Sequence, residues 1–488
     1  MKILNKILIA LFVVGFTTSC SDDYFDVNES QNSPVSSTPA LSLPVAQKYT
    51  VDVLQGGYNS MNTLGNIWSY SWAAGGDYVY FTDETLYLVT SSFRTGIYQN
   101  AYVLPLRNYD VIEKNTDPKY SNYVAIAKIM KAFHFQYLVD AYGDIPYSEA
   151  LQGAANTTPV FDNAKSIYDD LVVQLTAAQD MIANADATAL IPGANNDIMM
   201  QGNMAKWSKF ANTLKLRILL RQSEKAGLVS QADFDAAVDN GIGFLGAGEN
   251  VFANPGYSND TNKQNPFYAG FGKTVAGDPA ANANATRATN YAIAKLGVGD
   301  PRRARIYKNV GTTTNYVGIA QNNVGGPNSA ALSGIGPGLL KSSAQDGVIM
   351  LAAESLLLQA EAASKGYIIG DDEALFNAAV QASFDYLGAG SAAAYLAANP
   401  YPNSTANNLS AIIYQKWVAL IGVNGFESWI EYRRTGFPAD LPVAPNQTAS
   451  TVIPVRLLYP TSEYAANPNN VPNQTSTDAF TSKVFWQN

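Results

Sequence analysis

Apolar positions near the C-terminus follow a helical period that breaks once. Ile413, Trp417, Leu420 and Ile421 fall at i, i+4, i+7 and i+8, which predicts one buried stripe. Gly422, Asn424 and Gly425 interrupt it, and Phe426, Trp429 and Ile430 resume it at i, i+3 and i+4. Arg433 and Arg434 suit a last helical turn, and Gly436 and Pro438 stop it. Two short helices folded onto one another are predicted, and neither can bury its stripe alone. The same period predicts helices over about 43–56, over 123–142 (Ile126, Met130, Phe133, Tyr137), over 167–182 and over 207–221. It returns at Ile349–Lys365 and Ala374–Leu387. Paired helices with short turns predict a mainly α fold with a TPR-like stack over about 120–225 and 347–435. No clean period of about 34 residues is visible, so any repeat is degenerate.

From about 241 to 345 the helical period is lost, and Gly, Asn, Ala and Pro dominate. Long loops on a helical scaffold often carry binding. Within this insertion Tyr257, Asn262, Gln264, Asn265, Phe267, Tyr268 and Phe271 form an aromatic–amide cluster. A denser aromatic patch lies earlier: Trp68, Tyr70 and Trp72 alternate, and Tyr78, Tyr80 and Phe81 follow a Gly75–Gly76 break. An extended segment would put the alternating three on one face. Aromatic faces stack on the C–H faces of sugar rings, and nearby amides bond hydroxyls. Core packing of large residues is the competing reading, and the sequence leaves both open.

The apolar and charged patterns also meet. Glu354 and Glu361 share a helix face among Leu357, Leu358 and Ala360, so two carboxylates there need partners, with Arg433 or Arg434 the candidates. Arg217 and Arg221, at i and i+4, are expected to pair with acidic groups on a neighbouring helix.

Composition narrows the classes. Hydrophobic residues make up 47% and aromatics 11%, as in a folded globular chain, and the aromatics are mostly Tyr, 29 against 20 Phe and 6 Trp. A net charge of −9 argues against nucleic-acid binding. One Cys, Cys20, and one His, His134, exclude a Cys/His zinc site and leave no Ser–His–Asp triad unless His134 serves. His134 lies on an apolar helix and reads as a core or interface histidine. No EF-hand motif is present, and no metal ligand, catalytic residue or cofactor is assigned.

Lys2 and Lys6 precede an apolar run from Ile7 to Phe16, then small residues before Cys20. This describes a secretory signal peptide over 1–19, too short to span a bilayer. A cut before Cys20 would expose a thiol for lipidation, and residues 20–40, with Asp22 and Asp23 first, read as an acidic, Ser/Pro-rich tether.

Several ordered motifs resemble the SusD/RagB family of nutrient-binding outer-membrane lipoproteins. They are YGDIPYSEAL (Tyr142–Leu151), WSKFANTLKLRILLR (Trp207–Arg221), the Asp300-Pro301-Arg302 turn and MLAAESLLLQAEAASKG (Met350–Gly366). Gln415-Lys416-Trp417, Trp429, Arg433, Arg434, Gly436, Pro438, Ile453–Arg456 and Tyr459–Glu463 continue the series in the same order. The resemblance implies a single SusD-like α superhelix over 41–488, with little sheet and long irregular loops. It implies a lipidated Cys20 at the exterior of a Gram-negative outer membrane. It implies a SusC-like TonB-dependent transporter as partner and an oligosaccharide as cargo. Ligand contacts are then expected at Trp68, Tyr70, Trp72, Tyr78, Tyr80, Tyr257, Asn265, Phe267 and Tyr268.

Three alternatives stand beside this. One is a peptide binder of the RagB type. Another is a glycoside hydrolase using two carboxylates, for which Asp144 and Glu149 form a nominal pair, although helix-stop and capping roles suit them better. The third is a TPR adaptor with no small ligand.

Overall fold

The structure is a computed structural model and describes residues 37–445 and 450–488. The leader, Cys20 and all but the last residues of the tether lie outside these. Pro39 at the first helical position opens α1 (Pro39–Gln55), since its fixed φ suits a helix start. α2 (Met61–Trp68) begins at Ser60, whose hydroxyl accepts from the Thr63 amide at 3.2 Å. Strand β1 (Trp72–Ala74) follows it.

The first helical array is α3 (Ser121–Tyr142), α4 (Ala164–Ala183), α5 (Met204–Gln222) and α6 (Gln231–Val238), each packed on the next. Asn163 and Asn203 cap α4 and α5. The expected short turns are instead long connections over 143–163 and 184–203. Polar residues consolidate them: Asp162 accepts from the Tyr147 and Ser148 amides at 3.0 and 2.8 Å, and Asp144 accepts from Ala164 at 2.8 Å. Glu149 accepts from Asn156 and from the Val160 amide at 3.0 and 3.1 Å. Both members of the nominal carboxylate pair therefore serve as loop and helix anchors.

The insertion holds β2 (Val251–Ala253), α7 (Pro266–Phe271), β3 (Thr286–Ala288) and α8 (Asn290–Leu296) among long irregular segments. Strand β4 (Gly347–Met350) closes it. Two antiparallel ribbons tie the insertion to the scaffold: β1 pairs β3, with Trp72 opposite Ala288, and β2 pairs β4. Ile349 and Met350, expected to start a helix, lie in β4 because its backbone is committed to this pairing. The second array is α9 (Ala352–Ser364), α10 (Asp372–Leu387), α11 (Thr405–Leu420) and α12 (Gly425–Thr435). The result is the mainly helical, loop-rich fold read from the sequence.

The α11–α12 turn is clamped to α2. Asn66 accepts from the Gly422 amide at 2.8 Å, Asn62 accepts from Gly425 at 3.0 Å, and Asn62 donates to the Gly422 carbonyl at 3.0 Å. Gly65 permits this approach, since a Cβ there would lie 2.0 Å from the Gly425 carbonyl carbon. Trp68 then packs on Trp429, ring centroids 4.9 Å apart.

Charged side chains fill the space where α3, α5, α9, α11 and α12 meet. Arg221 contacts Asp140 at 3.3 Å, Glu427 at 2.7 Å and Glu431. Lys416 contacts Glu427 at 2.9 Å and Glu431 at 3.3 Å. Arg434 contacts Glu361 at 2.7 Å and Glu431 at 2.6 Å, and Arg217 reaches Glu354 at 3.3 Å. The expected pairing of Arg434 with Glu361 is present, and Glu354 is held by Arg217 instead. Arg433 lies over the Trp429 ring, its Cζ 3.7 Å from the centroid, and donates to the Asp140 and Val455 carbonyls. These groups are buried, so their charges are set by one another. Burial alone would raise Glu427, but Arg221 and Lys416 hold its carboxyl at about 2. Arg433, part-buried and with no ion-pair partner among the described residues, is pushed down to about 9 by desolvation.

His134 is fully buried, its Nε2 2.9 Å from the Thr50 hydroxyl, and burial drops it to about 3. It is a neutral core group. Asp300 and Arg302 form the expected turn salt bridge at 2.7 Å.

Candidate functional site

The two aromatic clusters do different work. Trp68, Tyr70 and Trp72 do not share an exposed face. Trp68 ends α2, Tyr70 takes a left-handed φ of 54°, and only Trp72 is in a strand. All three are buried, at 2%, 3% and 0% exposure, so none offers a ring to a solute unless the core opens. The apolar face of α2 explains it: Leu64, Ile67 and Trp68 are drawn inward together. Trp68 donates to the Glu84 carbonyl at 3.1 Å, and Trp72 packs against Phe267 and Phe271 of α7 at 6.4 and 5.1 Å.

The second cluster is thereby accounted for. Phe267 and Phe271 are core partners of Trp72, Asn265 caps α7 by accepting from the Tyr268 amide at 3.0 Å, and Tyr257 is buried. Burial raises the Tyr257 hydroxyl well above its ordinary range. Tyr268 is half-buried on α7. Trp68 and Tyr70 are thus absorbed into one hydrophobic core, and Trp72, Phe267 and Phe271 into a second.

Tyr78 and Tyr80 are different: both are half-buried and both line a cleft of about 170 Å³. One wall is the segment from Ala74 to Leu86, and the other is Asn322–Val324 from the insertion. Glycines bring the walls together. A Cβ on Gly76 would stand 2.4 Å from the Gly326 carbonyl oxygen. The Gly76 amide donates to Pro327 at 3.0 Å, and the Gly325 amide to Gly76 at 2.9 Å. Asp77 accepts from the Ser329 amide and hydroxyl, both at 2.7 Å, and the hydroxyl bond holds its carboxyl below the usual range.

Asn322 fixes the far wall. It donates to the Thr85 and Pro445 carbonyls at 2.8 and 2.7 Å, and its carbonyl takes the Thr85 hydroxyl. Tyr80 is seated against Tyr58 at 5.0 Å and Phe81 at 4.4 Å, donates to Asn282, and has its hydroxyl pushed up to about 12 by burial. Val79 and Val324 stand 79% and 70% exposed at the rim. The cleft thus presents aromatic and aliphatic surface beside fixed amides and hydroxyls, and no titrating acid–base pair faces it. Asn322, Asn323, Val324, Thr82, Thr85 and Leu86 escape a search for aromatic clusters. The one signal in the sequence is the Asn322-Asn323-Val324-Gly325-Gly326 turn composition.

Among the described residues no group of three or more His, Cys, Asp or Glu could hold a metal ion. No described helix is long and apolar enough to cross a membrane.

The chain is a mainly helical scaffold that carries a loop-built cleft lined by two tyrosines. A SusD-like family model, described as starch-binding associating with outer membrane, matches residues 43–460, and the chain belongs to that family. Its structure is similar to that of a chitin-binding protein, with 25% identity, 92% of this chain and 100% of the other covered, and a TM-score of 0.75. A chitin-binding SusD homologue from Flavobacterium johnsoniae gives 23% identity, 92% and 97% coverage, and a TM-score of 0.70. A SusD homologue from Bacteroides vulgatus gives 22% identity, 90% and 97% coverage, and a TM-score of 0.71. No curated protein matches the chain.

Proposed function

We propose that the protein is a cell-surface lipoprotein that captures glycan in the Tyr78–Tyr80–Asn322 cleft and delivers it to a SusC-like TonB-dependent transporter. Membership of a family described as starch-binding carries the reading, and the chitin-binding neighbours support it. Of the aromatics singled out from sequence, Tyr78 and Tyr80 alone line this cleft, so they are the residues we assign to stacking. Lipidation at Cys20 would tether the chain to the outer membrane while the helical frame rests on the transporter. No bond chemistry is assigned: Asp144 and Glu149 are occupied as anchors.

Calorimetry with chito- and malto-oligosaccharides tests the reading. Tyr78→Ala is expected to weaken binding about tenfold, the scale of one lost aromatic contact, with the unfolding midpoint unchanged. Equal affinity in the variant removes the cleft from the reading. Absence of any glycan binding removes the function.

A further inference from the structure

The cleft has a cationic flank that a neutral sugar does not need. Arg287 lies on β3 opposite Ala73. Its side chain is 5% exposed, yet it has no carboxylate partner within ion-pair distance among the described residues. Nε donates to the Ser329 carbonyl at 2.8 Å, and Nη1 donates to Ala283 and Thr286 at 2.9 and 2.7 Å. The remaining terminal nitrogen, Nη2, makes no hydrogen bond among the described residues and is not sealed from solvent. The nearest acidic influence is Asp77, whose Oδ1 is already taken by Ser329.

A second cation converges on the same spot. Lys308 Nζ and Arg287 Nη1 each lie 3.5 Å from the point where a Cβ on Gly334 would stand. Lys308 is exposed and has no ion-pair partner among the described residues. Elsewhere in the insertion Lys295 is paired with Asp440 and Arg302 with Asp300. Desolvation lowers both Arg287 and Lys308 from their ordinary values, and in Lys308 the Arg287 charge adds to the effect. Two like charges this close repel in the free protein, and the cost falls on Arg287, the buried member of the pair. Ser329 joins the two features: its carbonyl accepts from Arg287 Nε at 2.8 Å, and its amide and hydroxyl both donate to Asp77, the residue before the cleft-lining Tyr78.

We propose that Arg287 and Lys308 form a subsite for an anionic oxygen group, carboxylate or sulfate, on the glycan held at Tyr78, so that the preferred cargo is an acidic oligosaccharide. This rests on the glycan-capture reading of the cleft. A guanidinium with a free terminal nitrogen and an ammonium beside it supply charge-assisted hydrogen bonds to such a group. A neutral hydroxyl would leave the like-charge pair uncompensated.

The test is calorimetry on the purified chain with three oligosaccharides of equal length: a uronic-acid oligomer, a sulfated oligomer and chitotetraose. Lys308→Gln is the main variant, since this side chain donates no hydrogen bond inside the described structure and its loss unpairs nothing. Arg287→Lys is the second, checked for folding by circular dichroism. The expected result is that at least one acidic oligomer binds more tightly than chitotetraose, with an affinity that falls as salt rises. Lys308→Gln should then weaken that ligand on the order of tenfold, the scale of a charge-assisted contact, and leave chitotetraose unchanged. Preference for the uronate or for the sulfated oligomer identifies the group. Chitotetraose binding with no acidic preference overturns this inference and leaves glycan capture standing. So does an acidic ligand indifferent to Lys308→Gln. Binding of an acidic peptide with no glycan binding at all overturns both.

Discussion

Replacing Arg221 by Met tests the reading of the buried charge cluster. The guanidinium is fully buried and holds three carboxylates, those of Asp140, Glu427 and Glu431. Met keeps much of the volume and removes the charge. Lys416 still reaches Glu427 and Glu431, and Arg434 still reaches Glu431. Asp140 keeps only neutral donors on its other oxygen, Trp486 at 2.9 Å and Tyr168. Breaking a buried pair on one side typically costs about 3–5 kcal/mol, because the remaining charge stays desolvated. That is a large part of a usual stability of about 5–15 kcal/mol. The pH dependence carries the sharper test. In the wild type Glu427 is held at about 2 and Glu431 is also held low. Their contribution is present above the unfolded carboxyl value of about 4.3 and is lost as pH falls toward 2. In Arg221→Met, burial is no longer opposed, so the carboxyl of Asp140, already raised by burial in the wild type, rises further. A raised carboxyl binds its proton more readily in the folded state, so the variant recovers part of its deficit as pH falls from 7 to 5. Urea unfolding followed by tryptophan fluorescence at both values measures this. A loss under 1 kcal/mol at pH 7, or an identical loss at pH 7 and 5, refutes the account of the cluster as mutually neutralising.

Three further outcomes follow from the packing. Gly65→Ala should cost more than about 3 kcal/mol, or prevent folding, since its methyl would meet the Gly425 backbone at 2.0 Å; a thermal midpoint like the wild type's would contradict the α2–α12 contact. Trp72→Ala should lower stability by about 3–5 kcal/mol by opening a cavity against Phe267 and Phe271, measured by denaturant midpoint, whereas a ligand-platform role predicts lost binding at unchanged stability. His134, held at about 3 by burial, should show no imidazole titration by NMR between pH 5 and 8. Its folded value lies below the unfolded one of about 6.5, so stability falls by up to about 1.4 kcal/mol per unit as pH drops below 6.5. A midpoint near 6.5 would remove it from the core.

The scaffold was legible because its residues obey one period and one rule about buried charge. Ile413, Trp417 and Leu420 repeat at helical spacing, as do Phe426, Trp429 and Ile430 after the break, and Glu361 on an apolar face had to meet a cation, which Arg434 supplies. The cleft was legible only in part, and the reason is physical. Alternation across Trp68, Tyr70 and Trp72 has the period of a strand, but a helix already capped at Ser60 carries its apolar face through Trp68 before the chain turns. Local spacing could not reveal that tertiary override. Aromatic content marks apolar area, and apolar area is drawn to the core unless something holds it out. What holds Tyr78 out is its neighbourhood: Gly75 and Gly76 press the backbone against the insertion, and Asp77 is pinned to Ser329. Asn322 and Ser329 lie more than two hundred residues away in the chain, so no local pattern could join them to Tyr78. The same holds for Arg287 and Lys308, whose side chains both reach the space beside Gly334. The groups we propose to face ligand are thus those the core does not absorb, side chains next to glycine-mediated backbone contacts or cations without counter-ions among the described residues. Such groups, more than dense aromatic runs, are where binding should be sought on this scaffold.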